Sequence, residues 1–321
     1  MAILLIVVMA AIRPGLDYRH VVTGVDENEF WLRKFESGPH YDFVRIGDSR
    51  VYMGLVPETL EQTLTGRKVL NFGFPGSGLG GEYLAHLPSL LEPSGCRTLV
   101  FSVTPSSLTR VAAQKNGYVS VAEKDGEEGV LMTDRLARWL DQLESHDRFA
   151  VISMIDLFGR LGPQSFTENM NFVRTHYHES GWVENEVSRL EPDASSQSYR
   201  TTFSNNTVKS STVDYFVRQV ALYASEGITV VGIRMPISPQ LQEIERQYSG
   251  MDWSGFVSAF EAAGGLWLGS FVEAGFETFD GSHLTNAEAR RFSELIAARL
   301  DGVTDCGQGA GRPFAAPARE D

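Results

Sequence analysis

Short apolar segments rich in β-branched residues alternate along the chain with longer stretches whose apolar residues recur at helical spacing. Alternation of this kind is typical of a parallel sheet whose strands are joined by helices. It predicts an α/β fold with a central parallel sheet of about five strands. The predicted strands are Asp42–Gly47, Lys68–Phe72, Thr98–Val103, Ile228–Ile233 and Leu266–Leu268.

Three helix signals support this interpretation. An apolar repeat at helical spacing is followed by Gly227, which predicts a helix with a glycine at its C-terminal end. Ser238 before Pro239 predicts a helix start, with serine as N-cap and proline in the first helical position. Thr285, with Glu288 three residues later, forms a capping box at the start of the last helix. We expect the apolar stripes of these helices to face the core.

Residues 21–300 are predicted to form one α/β domain with an insertion at about 109–212, between the third and fourth strands. The insertion lacks the strand–helix alternation and contains one strong helical pattern over 131–143, followed later by a polar stretch. Residues 301–321 carry Gly, Ala and Pro without periodicity, which predicts a disordered tail.

The charge balance excludes one class of partner. The chain of 321 residues has 28 Lys and Arg against 41 Asp and Glu, a formal net charge of −13. No basic patch stands out, which argues against nucleic acid because phosphate binding needs clustered basic side chains. Two cysteines are too few for a disulfide framework or a cysteine zinc site. A disulfide between Cys96 and Cys306 is one alternative, but because Cys306 lies in the Gly/Ala/Pro-rich tail, we expect that the two do not pair.

The first twelve residues, MAILLIVVMAAI, contain no charged side chain. As a helix they span roughly 18 Å, short of the roughly 30 Å of a bilayer core. We interpret residues 1–20 as a truncated membrane anchor or signal segment that places the rest of the chain outside the cytoplasm; a buried strand or helix is the alternative. Arg13 and Arg19 oppose this orientation under the positive-inside rule.

A serine follows the first predicted strand at the opening of a helix, in the sequence VRIGDSRVYMG. This place suits a nucleophile, because the helix N-terminus offers N–H donors to a developing oxyanion. Gly47 permits a tight turn, and Asp48 is able to bond nearby backbone amides. By itself, however, Ser49 is more often an N-cap than a nucleophile.

Asp280 and His283 lie three residues apart in the loop before the last helix. This spacing lets the carboxylate accept from His Nδ1–H while Nε2 faces outward as a general base. Alone, such a pair is also consistent with a cap cluster. Because Ser49 and this pair follow predicted parallel strands, we expect them to meet at one rim of the sheet. Their chain order, Ser–Asp–His, is one of the known triad orders.

A glycine-rich loop, NFGFPGSGLGG, ends the second predicted strand. Gly73 allows close backbone approach, and its N–H is predicted to complete an oxyanion hole with the N–H of Ser49. A flexible strand–helix loop is the alternative. The glycines at 76–81 do not match a phosphate-binding loop, since no Lys-Ser/Thr follows and no G-x-G-x-x-G opens a helix.

Together these motifs resemble the SGNH/GDSL hydrolase superfamily. The resemblance rests on GDS at 47–49, NFG at 71–73 and DGSH at 280–283, and it covers roughly residues 40–110 and 212–300. It implies a three-layer, flavodoxin-like α/β fold. It also implies that Ser49 is the nucleophile, His283 the base, Asp280 its orienting partner, and Gly73 an oxyanion donor.

One block of the superfamily pattern is absent. The superfamily has Gly-x-Asn-Asp after the third strand, whereas this chain has FSVTPSSL, with no asparagine to donate to the oxyanion. Thr104, Ser106 and Ser107 are candidates to supply a hydroxyl donor instead, unless they only cap the next helix. Loss of one oxyanion donor typically costs about 10²–10³ in rate, so we expect a weaker or specialised activity.

The segments TPSSL and VVGIRMPISPQL are also similar to a membrane-tethered branch that O-acetylates alginate and related polysaccharides. This resemblance implies an acyl-ester or carbohydrate substrate, a periplasmic or extracellular location, and a membrane-bound O-acyltransferase as partner. Arg50 and Arg234 are candidates to bind an anionic group of such a glycan. For Arg50, a surface or structural role is the more common one.

The leading hypothesis is therefore a serine esterase or O-acyltransferase, without cofactor or metal, acting on acyl esters, above all acetyl esters, of a cell-envelope or secreted carbohydrate. The alternative is a non-catalytic scaffold or glycan-binding component of an export complex, which the missing asparagine favours. His176 and His178 do not share a helical face, so no metal site is predicted there. Asn205 begins a glycosylation sequon that matters only in a eukaryotic secretory pathway.

Overall fold

The strands of the protein form two separate sheets. A computed structural model describes residues 18–114, 117–126, 171–302 and 304. Within these ranges the strands are β1 (Tyr18–Gly24), β2 (Phe43–Gly47), β3 (Val69–Gly73), β4 (Thr98–Ser102), β5 (Asn171–Tyr177), β6 (Val183–Val187), β7 (Thr229–Arg234) and β8 (Leu266–Ser270).

Helices connect these strands and cover the larger sheet. The α-helices are α1 (Glu27–Phe35), α2 (Ser49–Gly54), α3 (Pro57–Thr63), α4 (Gly81–His86), α5 (Arg110–Gln114), α6 (Gly117–Gly126), α7 (Ser196–Ser204), α8 (Ser210–Ser225), α9 (Pro239–Tyr248), α10 (Trp253–Ala262) and α11 (Asn286–Asp301). Two short 3₁₀ helices span Leu87–Leu90 and Ser106–Leu108.

The larger sheet has five strands in the order β3-β2-β4-β7-β8, and every neighbouring pair is parallel. In order of appearance within this sheet the strands run 2-1-3-4-5, which is the flavodoxin-like order. The predicted α/β fold with a central five-stranded parallel sheet is confirmed. Each of its strands lies within two residues of its predicted bounds.

Helices cover both faces of this sheet, which gives three layers. The alternation of side chains along β2 divides the core: Val44 and Ile46 face α8 and α10, whereas Phe43 faces α2, α3 and α11. All residues of β2, β3 and β4 are buried, as expected for parallel strands covered on both faces. The carboxyl ends of β2 and β4 meet at the topological switch point, where such folds place their sites.

The predicted helix starts and ends occur where the sequence signals lie. The side chain of Ser238 accepts a hydrogen bond from Leu241 N at the start of α9, and Pro239 is its first residue. Thr285 Oγ1 accepts from Glu288 N at the start of α11. Gly227 follows α8 with a φ of +73°, a left-handed conformation that favours glycine.

The smaller sheet, in the order β1-β5-β6, was not predicted. β1 pairs with β5 in parallel, and β5 pairs with β6 in antiparallel fashion. Tyr177 and Val183 from this sheet pack with Phe30 and Tyr52, and Trp182 Nε1 donates to Met53 O at 2.9 Å. The smaller sheet therefore supports α2, the helix that begins at Ser49.

Several predicted segments fall outside the described residues. These are residues 1–17 of the apolar N-terminal segment, the helical pattern over 131–143 and nearly all of the predicted tail. No helix in the described ranges is both long and apolar enough to cross a membrane. Cys96 is disulfide-bonded, so the expectation that the two cysteines of the chain do not pair is wrong. Cys306 is not among the described residues.

Candidate active site

The turn after β2 places Ser49 at the first position of α2. Asp48 is the N-cap of this helix, and its Oδ1 accepts from Arg50 N at 3.0 Å. Its other oxygen, Oδ2, accepts from Thr104 Oγ1 at 2.9 Å. Because both carboxylate oxygens of Asp48 are engaged, the Asp48–Ser49 turn is fixed at the carboxyl ends of β2 and β4.

Asp280 and His283 lie within ion-pair distance of each other in the loop before α11. Asp280 Oδ2 lies 2.7 Å from His283 Nδ1, while Oδ1 accepts from the backbone N–H groups of Ser282 and His283 at 2.9 and 2.8 Å. Burial raises the pKa of Asp280, but the hydrogen bonds and charge of His283 outweigh it and hold this pKa below its usual value. The carboxylate of Asp280 is therefore ionised at neutral pH.

His283 also reaches the serine. His283 Nε2 lies 2.7 Å from Ser49 Oγ, although the two residues are 234 positions apart in the chain. With Nδ1–H donating to Asp280, Nε2 is the acceptor for the Ser49 hydroxyl proton. The three predicted residues are thus brought together as one hydrogen-bonded chain, with a base positioned to deprotonate the hydroxyl.

Gly281, which the sequence analysis did not single out, shapes the loop that carries Asp280 and His283. Gly281 has a φ of +94°, and a Cβ at this position would lie 2.2 Å from Pro192 O. The neighbouring segment also holds Asp280, because Ser195 donates to Asp280 O through its N at 3.0 Å and its Oγ at 2.8 Å. Residues 191–195 therefore fix the loop that carries the acid and the base.

The structure does not favour Gly73 as an oxyanion donor. The N–H of Gly73 donates to Asn71 Oδ1 at 3.2 Å, and its carbonyl oxygen accepts from Lys34 Nζ at 3.0 Å. The expectation that the Gly73 N–H completes the oxyanion hole is therefore corrected, because this N–H already donates to the side chain of Asn71.

Gly76, three residues further along, lines the same cavity as Ser49. In the part of the chain that the structure describes, neither Ser49 N nor Gly76 N donates to a protein acceptor. Gly76 has a φ of +59° in a turn closed by Ser77 N donating to Phe74 O at 3.3 Å. The Pro75–Gly76 dipeptide is the sequence signal for this turn, since proline and glycine are favoured at its two central positions.

The three hydroxyl residues after β4 form their own network. Thr104 is fully buried and gives its one proton to Asp48, so it is not available to an oxyanion. Ser107 Oγ donates to Thr104 O at 2.7 Å. Ser106 lines the cavity, but its Oγ lies 2.9 Å from Thr104 Oγ1 and must donate to it, because the Thr104 proton is already used.

Arg50 and Arg234 are buried and directed away from solvent. Their Nη2 atoms donate to Oε1 and Oε2 of Glu245, both at 2.8 Å, and Glu245 is itself buried. Buried arginines need such a partner. The expectation that these two residues bind an anionic glycan is corrected: their charge is compensated internally by a glutamate that sequence reasoning missed.

Two cavities lie beside the triad residues. The serine cavity, of about 310 Å³, is bounded by residues that include Ser49, Gly76, Ser106, Ala112, Ser198, Tyr199, Thr202 and Asn206. The histidine cavity, of about 300 Å³, is bounded by residues that include Met53, Val173, Val187, Arg189, Glu191, Ala194, Phe279, Asp280 and His283.

The remaining histidine candidates are engaged elsewhere. His176 Nδ1 lies 2.9 Å from Thr23 Oγ1, and His178 Nε2 lies 3.0 Å from Glu184 Oε2. Within the described ranges, no three His, Cys, Asp or Glu side chains are grouped so that they could hold a metal ion.

Comparisons with known proteins give only distant similarity. No protein-family model matches the sequence, and no curated protein matches it. The fold is similar to an aryl esterase from M. smegmatis, with a TM-score of 0.36 at 10% identity over 81% of this chain and 98% of that one. It is also similar to Est24, a carbohydrate acetylesterase from Sinorhizobium meliloti, with a TM-score of 0.37 at 9% identity over 81% of this chain and 98% of that one. The site geometry, rather than this likeness, carries the functional argument.

Proposed function

We propose that this protein is a serine esterase or O-acyltransferase that acts on acyl esters. One observation carries the proposal: the Asp280 carboxylate, the His283 imidazole and the Ser49 hydroxyl form a continuous chain with two contacts of 2.7 Å. Asp48, not Ser49, caps α2, and a serine in the first turn of a helix with no catalytic role has no need of a histidine so oriented. Nucleophile, base and orienting carboxylate in this arrangement are the requirements of acyl transfer.

In the first step, Ser49 Oγ attacks the carbonyl carbon of the ester while its proton passes to His283 Nε2. Asp280 stabilises the imidazolium, and the N–H groups of Ser49 and Gly76 donate to the oxyanion. The bond to the alcohol oxygen then breaks, and His283 returns the proton to this leaving oxygen. The products of the step are a free alcohol and an acyl group on Ser49.

In the second step, water or a sugar hydroxyl attacks the acyl carbon, and His283 takes the proton of the attacking oxygen. The bond to Ser49 Oγ breaks, and the proton returns to Ser49. Hydrolysis and transfer differ only in this acceptor, so the balance between them depends on how well the site positions an alcohol and excludes water.

The substrate assignment rests on the motif resemblance. We extend the proposal to acetyl esters of a cell-envelope or secreted carbohydrate, processed outside the cytoplasm next to a membrane-bound O-acyltransferase. The apolar residues 1–12 support attachment to a membrane. Because Arg50 and Arg234 are compensated by Glu245, they no longer support an anionic glycan.

A second candidate function is a non-catalytic scaffold or glycan-binding component. The observation that favours it is the hydroxyl network after β4. Ser106 lies in the segment where the superfamily has its asparagine, but it donates to Thr104 and not to the oxyanion. An oxyanion site with two donors instead of three predicts slow chemistry.

A fluorophosphonate probe tests the proposal, since it labels only a nucleophilic serine. Wild type is expected to be labelled, and Ser49→Ala is expected to remain unlabelled. Ser254→Ala, which changes an exposed serine of α10 that borders neither cavity, serves as a control that is labelled like wild type. Equal labelling of wild type and Ser49→Ala, or none of either, contradicts the enzyme and favours the scaffold.

A further inference from the structure

The serine cavity and the histidine cavity each contain only one end of the Ser49–His283 pair. Ser49 borders the first and His283 borders the second, and the two sets of lining residues do not overlap. The reactive hydrogen bond of 2.7 Å between these residues therefore lies between two cavities of similar size.

The chemistry of acyl transfer decides which half goes where. The carbonyl oxygen must lie at the N–H groups of Ser49 and Gly76, both of which border the serine cavity. The leaving oxygen must lie near His283 Nε2, because this atom returns the proton to it. We propose that the histidine cavity binds the alcohol half of the ester and the serine cavity binds the acyl half. This inference rests on the proposed function.

The lining of the histidine cavity indicates the kind of alcohol. Met53, Val173 and Val187 supply an apolar wall, and Phe279 lies with its ring stacked on His283 at a centroid distance of 5.5 Å. Polar side chains, among them Arg189, border the same space. A cavity with one apolar side and a few polar groups suits a ring-shaped alcohol, such as a pyranose, whose C–H face packs on the apolar wall.

The lining of the serine cavity indicates an uncharged acyl group. Ser198, Thr202 and Asn206 supply hydroxyl and amide groups, and among the described residues that border this cavity none is a lysine or arginine. The one carboxylate among these described lining residues, Asp48, is already engaged by Arg50 N and Thr104 Oγ1. Without a cation, the cavity does not compensate a carboxylate on the acyl chain, so neutral acyl groups are preferred.

Two alanines allow matched variants. Ala194 borders the histidine cavity, Ala112 borders the serine cavity, and Ala298 is an exposed residue of α11 that borders neither. Tryptophan at each position adds the same bulk. Arg189→Trp and Thr202→Trp are second variants for the two cavities, and circular dichroism checks that each variant is folded.

The substrates vary one half of the ester at a time: ethyl acetate, an acetylated methyl pyranoside and the butyryl ester of the same pyranoside. We expect Ala194→Trp to lower kcat/KM for both pyranosides by roughly tenfold or more beyond any change for ethyl acetate. The decay of the acyl-enzyme is expected to be unchanged, because the alcohol has already left. Ala112→Trp is expected to lower kcat/KM for the butyryl pyranoside more than for the acetyl pyranoside and to slow decay of the butyryl-enzyme. Ala298→Trp is expected to match wild type.

The opposite pattern overturns the inference: selectivity for the acyl group in Ala194→Trp, selectivity for the alcohol in Ala112→Trp, or no selectivity in either. The proposed function fails separately, because in that case wild type and Ser49→Ala turn over these esters equally.

Discussion

Arg50 and Ser282 are joined by a hydrogen bond of 3.1 Å between Arg50 Nε and Ser282 Oγ. Arg50 follows Ser49 in the chain, and Ser282 precedes His283. Both side chains are buried, and Glu245 holds Arg50 from the other side. A buried polar contact therefore connects the segment that carries the nucleophile to the segment that carries the base.

Replacing Ser282 by alanine is expected to lower kcat by about 10-fold to 100-fold with little change in KM, because small misplacement of reacting groups is costly. Steady-state kinetics on a simple acetyl ester measure this effect. Ser293→Ala is the matched control: it removes another buried serine, whose Oγ bonds Val56 N and Ala289 O away from the triad. A loss of kcat in Ser293→Ala equal to that in Ser282→Ala contradicts a positioning role for Ser282.

Gly281→Ala is expected to destabilise the protein by about 3 kcal/mol and to abolish activity, because the added Cβ meets a backbone oxygen and the φ of +94° is strained for alanine. Gly275→Ala separates these two causes. Gly275 also has a positive φ, of +68°, but a Cβ there meets nothing within 4 Å. Urea unfolding is expected to show a loss of about 1 kcal/mol for Gly275→Ala, with activity retained. Equal losses in the free energy of unfolding for Gly281→Ala and Gly275→Ala contradict the close approach of Gly281 to Pro192.

Ser106→Ala is expected to lower kcat less than about tenfold, because the Ser106 proton is directed to Thr104 and not to the oxyanion. Loss of a true oxyanion donor typically costs about 10²–10³ in rate, so the two cases are separable by steady-state kinetics. A loss of more than about a hundredfold means that Ser106 rotates to donate during the reaction.

Asp280 gives a pH dependence of stability with a defined sign. Its folded-state pKa is lowered below the usual value, chiefly by the bonds to His283 against the opposing effect of burial. The stabilisation that ionised Asp280 gives to the folded state is therefore present above the unfolded pKa of about 3.9. It is lost as the pH falls through the lower pKa of the folded state. Urea unfolding is measured from pH 5 to pH 3. The difference in the free energy of unfolding between wild type and Asp280→Asn is expected to narrow as the pH falls. In addition, kcat is expected to be about 10⁴-fold lower in the variant. A difference that widens below pH 4 contradicts the ionised state of Asp280.

The central sheet was predictable because its strands are short, mainly apolar segments between helical patterns. β2, β3 and β4 are buried throughout, whereas the edge strand β8 is only partly buried. All five strands were found within two residues of their bounds, although Arg45 interrupts the apolar run of β2 and Asn71 that of β3. The smaller sheet gave no such signal. β6, VENEV, is largely polar and partly exposed, and β1 pairs with β5 across about 150 residues of sequence, a contact that local patterns do not encode.

The site was predictable to the extent that chemistry follows strand ends. Ser49, Asp280 and His283 could be selected because each lies after a strand of a parallel sheet. The surroundings could not be, because they depend on distant partners. The burial of Arg50 depends on Glu245, which is 195 positions away. Asn71 Oδ1 accepts the N–H of Gly73, so Gly76 rather than Gly73 has an N–H available to the oxyanion. This hydrogen bond is visible only in the folded structure.

The most direct test of the account is the mass of the peptide that contains Ser49 after brief incubation with an activated acetyl ester and an acid quench. We predict that this peptide gains one acetyl group in wild type and that the Ser49→Ala peptide does not. Acetylation that is absent from Ser49 in active wild type, or that persists in Ser49→Ala, contradicts Ser49 as the nucleophile.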